Sequence, residues 1–130
     1  MSRIKICGLR RPEDIAAVNE ARPDYCGFIV EYPKSRRSID RTTLRELVRG
    51  LREKIVPVGV FVNATKELVA ELLEEGTIQI AQLHGQESQE YIQELKVLTE
   101  KPLIQAFSIK SKEDVERARE SVADYILLDQ

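Results

Sequence analysis

The sequence has 130 residues, a length typical of one domain with a real hydrophobic core. Its 20 basic and 22 acidic residues nearly cancel and are interspersed, which argues against a nucleic-acid or anionic-membrane surface and favours a small-molecule partner. No apolar run approaches the roughly 20 residues that span a bilayer, and the first residues lack the apolar stretch of a signal peptide, so we expect a cytoplasmic protein.

The first predicted strand ends in a thiol. Ile4 and Ile6 alternate as in a strand, and Cys7 stands at its carboxyl end. Gly8 lets the backbone leave the strand, and a helix is predicted from Pro12, because proline is tolerated in a first helical turn. A free cysteine is more often a small buried hydrophobe than a catalyst, so Cys7 alone does not decide between packing and chemistry.

The second predicted strand is the continuous apolar run from Tyr25 to Val30, typical of a strand covered on both faces. Cys26, in the middle of this run, is interpreted as a packing residue. A polar loop follows over residues 31–38, and Asp40 is the predicted N-cap of the second helix. The chain has thus repeated a strand–loop–helix unit.

Four more strands are predicted, at residues 56–62, 78–83, 103–109 and 125–128, and helices with apolar stripes alternate with them. Ser88 and Ser111 are the predicted N-caps of two of these helices. Strict alternation predicts an α/β fold with a parallel sheet, either a closed (β/α) barrel or an open doubly wound sheet. Both arrangements place ligands at the carboxyl ends of the strands.

Polar groups collect at that edge of the predicted sheet. Asp129 follows four apolar strand residues, where a carboxylate is costly unless it faces a polar pocket. The alternative interpretation is that it is an ordinary loop or cap aspartate. His84 is either a structural imidazole or a contact of the ligand. Arg36 and Arg37 are either a solvated pair or part of an anion-binding site. The candidates are Cys7, Arg36 with Arg37, Asn63, His84 and Asp129.

Metal and cofactor signatures do not occur in the sequence. Its two cysteines are far apart and it has a single histidine, so a structural zinc site is not expected. Neither GxGxxG nor GxxxxGK[ST] occurs, which argues against dinucleotide and nucleoside-triphosphate binding. We therefore expect a function without metal or cofactor.

Short motifs in the sequence resemble one family from end to end, the phosphoribosylanthranilate isomerases of tryptophan biosynthesis. The motifs are Lys5-Ile6-Cys7-Gly8, Glu13-Asp14, Gly27-Phe28, Ser35-Arg36-Arg37, Gly59-Val60-Phe61-Val62-Asn63, Gln82-Leu83-His84-Gly85 and Leu127-Leu128-Asp129.

The resemblance implies a (β/α)8 TIM barrel and an Amadori rearrangement of a phosphorylated substrate. It further implies that Cys7 is the general base, that Asp129 is the general acid and that Arg37 contacts the anthranilate carboxylate. His84, at the end of a predicted strand, is assigned to the substrate site. One acid and one base suffice for this reaction, without metal or redox cofactor.

The resemblance covers less than a whole barrel. Six strands are predicted, whereas the family continues past the aspartate with a glycine-rich segment and two further strands whose loops hold the substrate phosphate. Residues 1–130 are therefore interpreted as a single domain, a (βα)5β portion of the barrel truncated at its C-terminus. The alternative function is a catalytically inactive assembly or binding module. We expect this form to be inactive alone and either a homo-oligomer through its open edges or only partly ordered.

Overall fold

Strands and helices alternate along the chain in a computed structural model that describes residues 3–129, with the backbone alone described at residue 129. The strands are β1 (Lys5–Cys7), β2 (Tyr25–Val30), β3 (Ser38–Ile39), β4 (Val56–Phe61), β5 (Ile80–Leu83), β6 (Leu103–Ser108) and β7 (Tyr125–Asp129). The helices are α1 (Pro12–Ala21), α2 (Arg41–Arg49), α3 (Lys66–Glu74), α4 (Gln89–Leu98) and α5 (Lys112–Arg119).

Side-chain caps fix where helices begin, as the sequence predicts. The Asp40 carboxylate accepts a hydrogen bond from the Thr43 backbone N–H at 2.7 Å, and this bond lowers the pKa of Asp40. Ser88 Oγ accepts from the Tyr91 N–H at 3.0 Å. The unpredicted element is β3, a two-residue strand at the end of the polar loop, which pairs with β2.

All strand pairs are parallel, in the spatial order β1-β2-β4-β5-β6-β7, and β3 also lies beside β2. The carboxyl ends of the strands therefore meet at one edge of the sheet, where the candidate residues are expected. No helix within residues 3–129 has the length and apolarity needed to cross a bilayer.

The helices cover one face of the sheet. A single apolar core joins side chains of α1, α2, α3 and α4 to one set of strand residues, Cys26, Phe28, Val30, Phe61, Ala81, Leu83 and Leu103. Gln105, on the same face by its register with Leu83, accepts a hydrogen bond from Ser121 just after α5. Helices on one face form the outer layer of a barrel, whereas a doubly wound sheet has helices on both faces. The structure thus resolves the two alternatives in favour of the barrel.

The opposite, inner face carries the candidate site. Register partners in parallel strands share a face, so Lys5, Cys7, Gly27, Val58, Val60 and Gln82 lie on this face. At one margin of the sheet, the apolar side chains of β7 are exposed on both faces: Tyr125 by 61%, Ile126 by 44%, Leu127 by 40% and Leu128 by 55%. β7 pairs with β6 alone in the described sheet. This is the open edge that the sequence predicts.

Candidate active site

The thiol of Cys7 is exposed at the carboxyl end of β1. Its register partner on β2 is Gly27, and a Cβ atom at residue 27 would lie 2.7 Å from Cys7 Sγ. Any side chain there would displace the sulfur. A glycine on the neighbouring strand therefore leaves the space that the thiol occupies.

The loop after Cys7 is held at both ends. The Gly8 N–H donates to the Gly27 carbonyl at 2.9 Å. Further along, the Asp14 carboxylate in the first turn of α1 accepts from the N–H groups of Arg10 and Arg11, each at 3.1 Å. The bond from Arg10 is the main reason that the pKa of Asp14 is lowered. The carboxylate thus fixes the loop that leads from the thiol to the helix.

Arg37 reaches this loop from the segment between β2 and β3. Gly8 has φ +86°, which favours glycine, and a Cβ at residue 8 would lie 2.8 Å from Arg37 Cδ and 2.9 Å from Arg37 Nη1. The arginine side chain therefore crosses the backbone immediately after Cys7. Arg10 Nη1 donates to the Arg36 carbonyl at 3.3 Å and joins the two loops.

A cleft of about 390 Å³ lies at this junction. Its charged lining consists of Arg10, Arg11, Asp14 and Arg37, beside Cys7 and Gly8. The sequence singled out Arg36 and Arg37, but of this pair Arg37 alone lines the cleft, and the other two cations come from the loop after β1. Arg11 pairs with Asp14 at 3.6 Å, whereas the guanidinium groups of Arg10 and Arg37 suit an anionic ligand next to a thiol.

His84 lies at the same edge of the sheet but in a second, larger cavity of about 750 Å³. Its backbone N–H donates to the Phe61 carbonyl at 2.8 Å, and its exposed ring has Nδ1 3.3 Å from Gln82 Nε2. Asn63 and Ser108 also line this cavity, whereas Cys7 and Arg37 do not. The predicted site residues thus occupy two separate regions of one edge.

Asp129 is the last residue of β7, and its backbone is in register with Ser108 of β6. That places the residue at the carboxyl edge, beside the larger cavity that Ser108 lines. The side chain of Asp129 lies outside the described part of the chain.

A buried carboxylate that the sequence did not single out organises the loop of His84. Glu87 is 7% exposed, and its two oxygens accept from the Asn63 N–H at 2.8 Å and the Gly85 N–H at 2.9 Å. It thereby ties the loop after β4 to the loop after β5. An acid two residues after a glycine in a polar loop gives no sequence signal of such a contact, which joins residues 24 positions apart.

The two cysteines differ in environment, and this predicts selective alkylation. Cys26 is fully buried, and desolvation, with a smaller contribution from Cys7, raises its pKa to about 12. At pH 8 only about one Cys26 in 10⁴ is then a thiolate, the form that reacts. Iodoacetamide should label the native protein once, at Cys7, and the denatured protein twice, as mass spectrometry will show. The Cys7→Ala variant is the control and should stay unlabelled when native, whereas native labelling at Cys26 would contradict the buried assignment.

A thiol, a guanidinium and an imidazole at the carboxyl edge of a parallel βα sheet, with helices on the other face, are the features of a (β/α)-barrel enzyme. Among the described residues, no cluster of His, Cys, Asp and Glu is arranged to hold a metal ion.

The family model for N-(5'phosphoribosyl)anthranilate (PRA) isomerase matches residues 4–130. The N-(5'-phosphoribosyl)anthranilate isomerases of Acetivibrio thermocellus and Caldanaerobacter subterraneus subsp. tengcongensis are 43% and 41% identical to it, over 99% of this chain and 61% of their own length. The chain therefore belongs to the PRA isomerase family, and it spans about three fifths of the length of these relatives.

Solved structures agree with this assignment. A phosphoribosyl anthranilate isomerase in complex with reduced 1-(o-carboxyphenylamino)-1-deoxyribulose 5-phosphate superposes with a TM-score of 0.85 at 35% identity, over 99% of this chain and 65% of that one. The isomerase of Thermotoga maritima gives a TM-score of 0.84 at 35% identity, over 99% of this chain and 62% of that one. The predicted barrel family is confirmed, and this chain corresponds to a portion of that barrel.

Proposed function

We propose that this chain carries the acid–base half of an isomerase that converts N-(5-phosphoribosyl)anthranilate to 1-(2-carboxyphenylamino)-1-deoxyribulose 5-phosphate, an Amadori rearrangement in tryptophan biosynthesis. Cys7 is the general base, Asp129 the general acid, and Arg37 binds the anthranilate carboxylate, while His84 contacts the substrate. The family resemblance implies the reaction and the roles of Cys7, Asp129 and Arg37, and the positions of the residues at one edge of the sheet support them.

The observation that carries the proposal is the position of Arg37 relative to Cys7. The guanidinium crosses Gly8, the residue next to the thiol, in a cleft with two further arginines. An anionic substrate held by Arg37 would thus lie in the cleft that Cys7 also lines. An inactive assembly module would not account for a thiol and an arginine at one cleft. The relatives that are PRA isomerases also favour the isomerase.

One acid, Asp129, and one base, Cys7, account for every bond that breaks and forms in the proposed reaction. The Asp129 carboxylic acid protonates the ring oxygen of the sugar, the C1′–O bond breaks, and the nitrogen lone pair forms the C1′=N bond of an iminium ion. The Cys7 thiolate then removes the C2′ proton, and the electron pair of that C–H bond gives an enolamine. Its tautomerisation yields the aminoketose. All electron pairs stay within the substrate, so the reaction is a net isomerisation.

Turnover of the full-length enzyme tests the proposal directly. Conversion of N-(5-phosphoribosyl)anthranilate should be followed as the loss of the substrate's anthranilate fluorescence. A loss of fluorescence that is faster than without the protein and saturates with substrate concentration supports the isomerase. Binding of the substrate without turnover by the full-length protein would favour the assembly module instead.

Replacing Arg37 by methionine should raise KM by about tenfold to a hundredfold, because a charge-assisted hydrogen bond contributes about 1.5–3 kcal/mol. The value of kcat should change little, since a carboxylate clamp binds ground state and transition state alike. Steady-state kinetics of the full-length enzyme measures both constants.

Arg36→Met is the matched control, because Arg36 adjoins Arg37, is exposed and does not line the cleft. Its backbone carbonyl, which bonds Arg10, is retained. Its KM should stay within about twofold of the wild type, as expected of a surface substitution. A fall in kcat alone for Arg37→Met would show that the carboxylate clamp lies elsewhere.

The proposed partner is a phosphorylated small molecule. A cytoplasmic location fits the free, exposed thiol of Cys7, because such thiols persist in reducing compartments.

A homo-oligomer through the exposed β7 edge remains a prediction, motivated by the apolar side chains of residues 125–128. Light scattering coupled to size exclusion measures it, and a compact monomer of this 130-residue chain would refute it.

A further inference from the structure

Three polar side chains form a hydrogen-bonded chain across the inner face of the sheet. Lys5 Nζ on β1 donates to Gln82 Oε1 on β5, and Gln82 Nε2 lies 3.3 Å from His84 Nδ1. Gln82 is 3% exposed, and its register partners on this face, Val60 and Ile104, are apolar. A buried amide in such surroundings is costly unless both of its ends are bonded, and here both are.

The chemistry of the three groups fixes the direction of every bond. A lysine ammonium has donors only, so the amide oxygen of Gln82 must face Lys5. The amide NH₂ group then faces the ring of His84, and it also has donors only. His84 Nδ1 must therefore accept, which leaves the ring proton on Nε2.

The position of His84 gives this tautomer a use. The side chain is exposed at the carboxyl edge and lines the cavity of about 750 Å³. No other described residue bonds the ring. With Nδ1 engaged by Gln82, the ring offers the cavity a single polar group, the Nε2–H donor.

We infer that Lys5 and Gln82 are positioning residues that hold His84 in the Nε2–H tautomer, so that its ring donates a hydrogen bond to an oxygen of the bound substrate. The identity of that substrate rests on the proposed function. The tautomer itself does not, because it follows from bonds within the protein.

Nitrogen NMR of the protein labelled with ¹⁵N reads the tautomer without any substrate. His84 is the single histidine of the sequence, and a His84→Gln sample identifies its ring signals by their loss. The wild type should show a pyridine-type Nδ1 and a pyrrole-type Nε2. Lys5→Met keeps the aliphatic stem but frees the Gln82 amide to rotate, so the two nitrogen shifts should move towards an average. Lys5→Arg retains a donor and should restore the wild-type pattern.

Gln82→Glu is the sharpest variant because it keeps the shape of the side chain and replaces the NH₂ donor by an acceptor. At a pH where the ring is neutral, the proton should move to Nδ1, and the two nitrogen shifts should exchange. This variant also answers the question if Lys5→Met does not fold. A wild type with a protonated Nδ1, or a Gln82→Glu spectrum like that of the wild type, would overturn the inference.

Kinetics of the full-length enzyme tests the link to the substrate. Gln82→Glu should raise KM by about tenfold, the effect of one hydrogen bond of about 1.4 kcal/mol. A purely structural contact would lower stability and leave both KM and the tautomer unchanged, which would refute the positioning role. If the wild type does not turn over the proposed substrate, the proposed function fails while the NMR result still decides the tautomer.

Discussion

Replacing Cys7 by alanine in the full-length enzyme is expected to lower kcat by about 10²–10⁴-fold or more, to the limit of detection, while substrate binding is nearly retained. In the proposed mechanism the thiolate acts only when the C2′ proton is transferred, so its loss should remove an interaction made in the transition state and not in the ground state. The exposed thiol at the end of β1, in the cleft that Arg37 also lines, is the observation behind this expectation. Fluorescence assays give kcat, and titration with reduced 1-(o-carboxyphenylamino)-1-deoxyribulose 5-phosphate gives affinity.

Cys26→Ala is the matched control for this experiment. It also removes a thiol, but one that is fully buried in the core on the opposite face of the sheet. It should cost about 1 kcal/mol of the free energy of unfolding and leave kcat within about twofold. A Cys7→Ala enzyme with a wild-type kcat would remove Cys7 from the mechanism.

Replacing Asp129 by asparagine is expected to have an effect of the same size. The amide keeps the shape of the side chain but cannot donate a proton as an acid, so ring opening should slow by about 10²–10⁴-fold. The pH profile of kcat should also lose the limb that reports the general acid. The position of Asp129 at the end of β7, in register with Ser108, supports a role at this edge.

Asp124→Asn serves as the control for Asp129. Asp124 lies just before β7 at the opposite end of the strand, where its carboxylate accepts from the Leu103 N–H at 2.9 Å. The asparagine retains an acceptor oxygen, so kcat and its pH profile should stay near the wild type. If Asp129→Asn behaved in the same way, Asp129 would be a structural residue and the general acid would have to be sought elsewhere.

Much of the fold was predictable because its signals are local. A continuous apolar run predicts β2 with its observed bounds, and Asp40 and Ser88 mark the starts of α2 and α4, because a cap involves residues three apart. The ends of helices were less predictable. Leu51 continues the apolar stripe of α2 but lies beyond Gly50, where the helix ends. An apolar residue packs on the core from a loop as well as from a helix, so the pattern alone overshoots.

The arrangement of the site was only partly predictable. The alternation of strands and helices placed Cys7, Arg37, His84 and Asp129 at one edge, since parallel strands share a direction. It did not reveal that Arg37 crosses Gly8 while His84 lies in a separate cavity. The catalytic and binding roles of all four residues remain predictions for the experiments above.

The sequence by itself determined the βα units, the edge of the sheet at which the candidate residues meet and the family to which the chain belongs, because these depend on neighbours along the chain. The tertiary structure alone decided that the helices cover one face, that Gly27 makes room for the Cys7 thiol, and that Lys5 reaches Gln82 across the sheet. Lys5 and Gln82 are 77 positions apart. Contacts of this kind form only when the sheet curls and brings distant strands together, and no periodicity in the sequence records which side chains then meet.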